Sequence, residues 1–160
     1  MLSLQSSKRL LLGAMLPFGL CLLPLDSSAD GTGRAPKPAQ SHPGLRTLLS
    51  TGSTITGEPI QYPSGSARVT AVEITLQPGQ QTGWHKHPVP LFGYMLEGEL
   101  TVDYGAKGKR VYRKGDSLVE AMNETHNGRN TGKGPMRILA VFIGAEGQPG
   151  TVTTASPAQR

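Results

Sequence analysis

The sequence predicts an all-β domain, and three observations carry that expectation. No segment sustains a helical period of apolar residues. Two segments alternate with a period of two: Val72, Ile74 and Leu76 around Glu73 and Thr75, and Leu100, Val102 and Tyr104 around Thr101 and Asp103. Glycine-rich turns separate these short runs, as in a small antiparallel barrel or sandwich.

In chain order, Met1 to Arg9 carries Lys8 and Arg9 and no acid. Leu10 to Leu25 is an apolar run broken by Pro17 and Pro24, and Ser27-Ser28-Ala29 offers small residues for cleavage. This order predicts a secretory signal peptide over 1–29, cut after Ala29 and too short for a comfortable membrane span. The other reading is an uncleaved N-terminal anchor. Cleavage removes Cys21, the only cysteine, so the exported protein has neither a disulfide nor a thiol nucleophile. The expected location is periplasmic or secreted, with no stable membrane anchor after cleavage. Residues 30–44 are rich in Pro, Gly, Ser and Ala and read as a disordered linker, with His42 an ordinary exposed histidine.

Leu45 to Thr51 is expected as a short first strand, and the stretch from Thr51 to Gly65 is turn-rich. Strands follow over 68–76, 92–96, 100–104, 110–113, 117–121 and 136–143. Pro78-Gly79, Glu97-Gly98, Gly105 to Gly108, Lys114 to Asp116 and Asn130 to Pro135 mark the turns between them. No internal repeat is visible. The expected organisation is one domain over 45–148 and a polar, frayed tail over 149–160. The formal net charge of +5 is scattered apart from Lys107, Lys109, Arg110, Arg113 and Lys114. That cluster lies on an expected hairpin without interleaved aromatics, which reads as a solvated face and argues against a nucleic-acid partner.

The chemistry centres on His85-Lys86-His87. Residues i and i+2 of a strand point to one face, so two neutral imidazoles project side by side and can share a metal ion. His126 comes from a downstream segment, and the three together make a candidate metal site. The competing reading is a metal-free barrel whose histidines are satisfied core residues. Trp84 has the opposite parity to His85 and reads as core or interface packing. Tyr94 and Met95 either line the barrel or pack outside it.

These segments resemble the paired motifs of the cupin family. Its first motif is a Gly, five residues, His-x-His, three or four residues, a Glu, six residues and a Gly. Gly79, His85, His87 and Gly98 fall in register, and Leu91 stands where the Glu is expected. The second motif is a Gly, five residues, Pro-x-Gly, two residues, His, three residues and an Asn. Gly115, His126 and Asn130 match, with Ala121 for the Pro and Asn123 for the Gly. The resemblance covers about residues 68 to 144 and implies a single small cupin barrel, a jelly roll of antiparallel strands. It implies a divalent transition metal, Fe, Mn, Ni, Zn or Cu, on His85, His87 and His126.

With Leu91 unable to ligate, three outcomes are open: a three-histidine site, a carboxylate from elsewhere, or no physiological metal. Glu120 is the nearest substitute and the candidate acid or base; its alternative role is to orient a ligand histidine. The expected function is a metal-dependent oxygenase or isomerase acting on a small molecule. The alternative is a non-catalytic periplasmic cupin that binds a small molecule or metal. A homodimer is open.

Overall fold

The computed structural model describes residues 44–157. The expected signal peptide and the linker up to residue 43 lie outside the described residues. Nine strands follow in order: β1 (Ala67–Leu76), β2 (His85–Lys86), β3 (Leu91–Glu97), β4 (Glu99–Asp103), β5 (Lys109–Arg113), β6 (Ser117–Val119), β7 (Asn127–Asn130), β8 (Met136–Ala145) and β9 (Val152–Thr153). A 3₁₀ turn at Gly105–Lys107 joins β4 to β5. The strands form a four-stranded sheet in the order β1-β8-β3-β6, a three-stranded sheet β5-β4-β7 and a short β2-β9 pair, all antiparallel. Among the described residues no helix is long and apolar enough to cross a membrane.

The two larger sheets share one core. Met95, Leu118, Met136 and Ile138 enter from the first sheet, and Leu100, Val102 and Tyr112 from the second. The chain passes from one sheet to the other at Gly98, where φ is +73° and a Cβ would stand 2.5 Å from the Pro135 carbonyl oxygen. Only glycine meets both demands, so β3 and β4 can be consecutive in sequence yet lie in different sheets. A register shift between Met95 and Glu97 bends the end of β3 toward this corner.

The period-two expectation holds best in β4, where Leu100 and Val102 are buried and Thr101 is half-buried. In β1 it holds only at one end: Ile74 and Leu76 are half-buried, whereas Val72 is 37% exposed. β1 lies at the edge of its sheet with β8 as its single strand partner, so one flank stays open. Met95 is a core residue, and Tyr94 stays half-buried on the opposite parity.

Two local expectations need correction. Leu45 to Thr51 forms no strand; Leu45 and Leu48 are exposed, so the segment lacks the buried face that would pay for a strand. The stretch read as frayed beyond residue 148 contains β9, which lies antiparallel on the His85–Lys86 segment. Val152 and Thr154 are half-buried there, and backbone pairing rather than apolar patterning holds the strand.

Three of the five residues of the basic cluster are paired locally. Lys107 pairs with Glu58 and with Glu124, Lys109 with Asp103, and Arg113 with Glu99. Such pairs suit a solvated hairpin.

Candidate metal centre

Backbone pairing brings the histidines together before their side chains are considered. His85 and His126 exchange both main-chain hydrogen bonds, His85 N–H to the His126 carbonyl at 3.0 Å and His126 N–H to the His85 carbonyl at 2.8 Å. They are thus directly opposed residues of an antiparallel pair, with side chains on one face. His87, two residues beyond His85, returns to that face, and its carbonyl accepts the Asn123 N–H at 2.8 Å. Asn123 has φ +56°, the left-handed conformation for which the family motif supplies a glycine and which asparagine tolerates.

The three rings lie 4.5 to 5.0 Å apart between centroids. One ligand nitrogen from each lies within 4.8 Å of the others, a group able to hold a metal ion. Each Nδ1 faces a backbone carbonyl: Gly83 at 2.8 Å from His85, Gly150 at 2.8 Å from His87 and Glu124 at 2.9 Å from His126. A carbonyl only accepts, so each Nδ1 carries the proton and each Nε2 presents a lone pair. His126 is 2% exposed, and its Nε2 has no hydrogen-bond partner. A buried lone pair without a donor is costly unless a cation completes it, so these residues fit a metal ion.

Burial keeps all three rings neutral. Desolvation lowers the pKa of His85 and of His126, and it takes His87 down to about 3. The backbone carbonyls oppose these shifts without reversing them. Neutral imidazole is the form that ligates.

Glu120 lies beside this group, 7% exposed, with Oε2 4.0 Å from His126 Nε2. Desolvation raises its pKa; the Ala121 N–H, donating at 2.8 Å, and the nearby Tyr104 hydroxyl oppose that rise. Tyr104 is itself buried and shares a 3.0 Å hydrogen bond with the Tyr112 hydroxyl.

Histidines and glutamate face a cavity of about 450 Å³. Its walls are mostly apolar, with Ile74, Leu76, Leu100, Val102, Met136, Ile138 and Phe142, and threonines from the β9 segment add hydroxyls. Leu91 lines it too, where the family motif has its carboxylate. Trp84 also lines it, so the packing role expected from its parity is incomplete. The second-motif Asn130 does not line the cavity: its amide donates to the Leu76 and Gly134 carbonyls at 2.7 and 2.9 Å, tying the end of β1 to the turn between β7 and β8. The carbonyls of Gly83, Glu124 and Gly150 have no sequence signal, because any residue carries one.

The Cupin domain family profile matches residues 72–142. Similar solved structures include the oxalate decarboxylase of Lactobacillus farciminis in its formate complex, at 24% identity over 57% of this chain and TM-score 0.47. The DMSP lyase of Ruegeria pomeroyi matches at 23% identity over 61% of this chain and 47% of that one, TM-score 0.48. A predicted oxalate decarboxylase of Thermotoga maritima matches at 30% identity over 49% of this chain and 67% of that one, TM-score 0.43. The chain spans only 29% of the Lactobacillus farciminis enzyme. No curated protein matches. The profile match runs from β1 into β8 and takes in the three histidines, Leu91 and Glu120; by that match and by its antiparallel barrel, the chain belongs to the cupin family.

Proposed function

We propose that the protein holds a divalent transition metal on His85, His87 and His126 and acts on a small, largely apolar molecule as an oxygenase or isomerase. The observation that carries this reading is the set of three imidazoles whose Nδ1 atoms are all taken by carbonyls, leaving three bare Nε2 atoms at one apolar cavity. When bound, such an ion supplies Lewis acidity and, if redox-active, a one-electron couple. Imidazole suits Fe, Mn, Ni, Zn and Cu alike, so the donors do not choose among them.

The chain's own residues do the rest. Apolar walls exclude water and favour hydrocarbon over charge in the substrate. Thr82, Thr151, Thr153 and Thr154 offer hydroxyls to its polar end, and the Thr154 hydroxyl is buried without a partner. Among the described residues lining the cavity, Glu120 is the one carboxylate. That scarcity of acids and bases favours a second reading, a non-catalytic periplasmic binder.

Export is part of the proposal and rests on the N-terminal sequence: basic residues, apolar run and small-residue site in that order. N-terminal sequencing of the exported protein is expected to start at Asp30; intact Met1 in a cytoplasmic fraction would refute it.

Metal analysis of protein purified without a histidine tag tests the centre. The expected result is bound transition metal, and a melting temperature that chelator lowers and one divalent ion restores. A native protein that no divalent ion stabilises would sink the proposal. Mass spectrometry of small-molecule mixtures incubated with the loaded protein separates the two readings: altered masses mean catalysis, and a ligand recovered unchanged means binding.

A further inference from the structure

Leu91 and Glu120 are partners across two strands. β3 pairs with β6, with Phe92 opposite Val119. One step further the Glu120 N–H donates to the Leu91 carbonyl at 2.9 Å, so Glu120 stands directly across from Leu91. Opposed residues of an antiparallel pair share a face, with Cβ atoms about 4.5–5.5 Å apart. Both side chains line the metal cavity. The carboxylate missing from position 91 is therefore present on the neighbouring strand, at the same level and on the same face.

The geometry points to Glu120 as the fourth ligand of the ion held by His85, His87 and His126, a carboxylate transposed across the β3–β6 pair from the position of Leu91. This rests on the metal reading above. It places Glu120 on the ion rather than on a substrate proton.

Two observations separate a ligand from a carboxylate that merely orients a ligand histidine. All three Nδ1 atoms are already engaged by backbone carbonyls, so no histidine is left for Glu120 to orient. Its Oε2 lies 4.0 Å from His126 Nε2, too far for a hydrogen bond. Glu120 Oε2 and the unpartnered His126 Nε2 turn lone pairs toward the same buried space, where one cation can complete both. The remaining oxygen, Oε1, accepts the Ala121 N–H and fixes the carboxylate's orientation.

The test uses Mn(II) and Co(II) as probes on the full chain. Affinity is measured by calorimetry, and the Co(II) visible absorption reports the donor set. The proteins are wild type, Glu120→Gln, His126→Ala and the double variant Leu91→Glu/Glu120→Ala. Glu120→Gln is expected to lose more than about 100-fold in affinity, beyond the 10–100-fold typical of residues that only support a ligand. It should also shift the Co(II) spectrum. Its metal-free form melts no lower than wild type, so the loss is not unfolding. The double variant should recover at least about tenfold of the affinity and move the spectrum back, because a carboxylate at 91 can serve the same ion.

Affinity within about threefold of wild type and an unchanged Co(II) spectrum in Glu120→Gln, with binding lost in His126→Ala, overturns this inference and leaves the metal centre standing. A large loss that the carboxylate at 91 does not recover overturns the transposition. If neither ion binds wild type and His126→Ala behaves like it, the metal reading fails first.

Discussion

At the scale of single residues, the apo site is a set of opposed titrations. His85, His87 and His126 all have folded pKa values below the ordinary 6.5, so below that pH the unfolded chain binds protons that the folded one refuses. Stability is then present above about pH 6.5 and is lost as pH falls toward about 3, the value for His87. Glu120 works in the other sense: its folded pKa is raised, so its burial costs stability as pH rises above 4.5. Glu120→Gln should therefore raise the melting temperature of the chelated protein at pH 7 by a few degrees and leave the acid-side loss in place. Calorimetry from pH 4 to 8 in chelator checks both signs. The histidines were legible in the sequence because a period of two and a family spacing suffice to place them. Glu120 was legible as a candidate carboxylate, but the choice between its open roles depends on strand register, which no local pattern states. The wall position of Trp84 was not legible, since parity is defined within a strand and Trp84 precedes β2.

At the scale of elements, the β4 register makes a sharp contrast. Val102 is 2% exposed, whereas Thr101 is half-buried and hydrogen-bonds the Thr131 hydroxyl at 2.8 Å. Val102→Asp should cost more than about 3 kcal/mol by burying an unpaired charge. Thr101→Asp should cost less than about 1.5 kcal/mol, the scale of one hydrogen bond. Denaturant melts of the two variants measure the difference. The strands with strong alternation or a long apolar run, β1, β3, β4 and β8, could be read directly. Asn127–Asn130 could not: Asn-Gly-Arg-Asn has neither strand propensity nor an apolar face, and β7 forms because β4 offers it a partner. β9 escaped because it is only two residues long, Val152–Thr153, too short to show a period. Deleting residues 149–160 removes β9 and the Gly150 carbonyl that orients His87. That deletion is expected to weaken metal binding by about 10–100-fold while the main core persists. Metal titration against wild type, with the melting temperature in chelator as the control, decides it.

At the scale of the whole molecule, His85, His87 and His126 come together only where the two histidine-bearing segments pair, so a metal held there would couple binding to folding. Free metal at about 100 times its Kd should add about 2.7 kcal/mol to stability, or on the order of 10 °C for a domain of this size. Thermal melts across a metal titration give the logarithmic dependence that such coupling demands. The carbonyls that orient His85 and His126 lie two residues upstream of each ring, whereas the one that orients His87 lies 63 residues downstream. The site therefore has an order in time. A growing chain carries all three histidines well before it carries Gly150, and until then the His87 ring has no fixed tautomer. On the proposed metal reading, an ion offered during synthesis would meet only two oriented ligands, and firm loading would wait for the residues around Gly150 to be made and paired back against the His85–Lys86 segment.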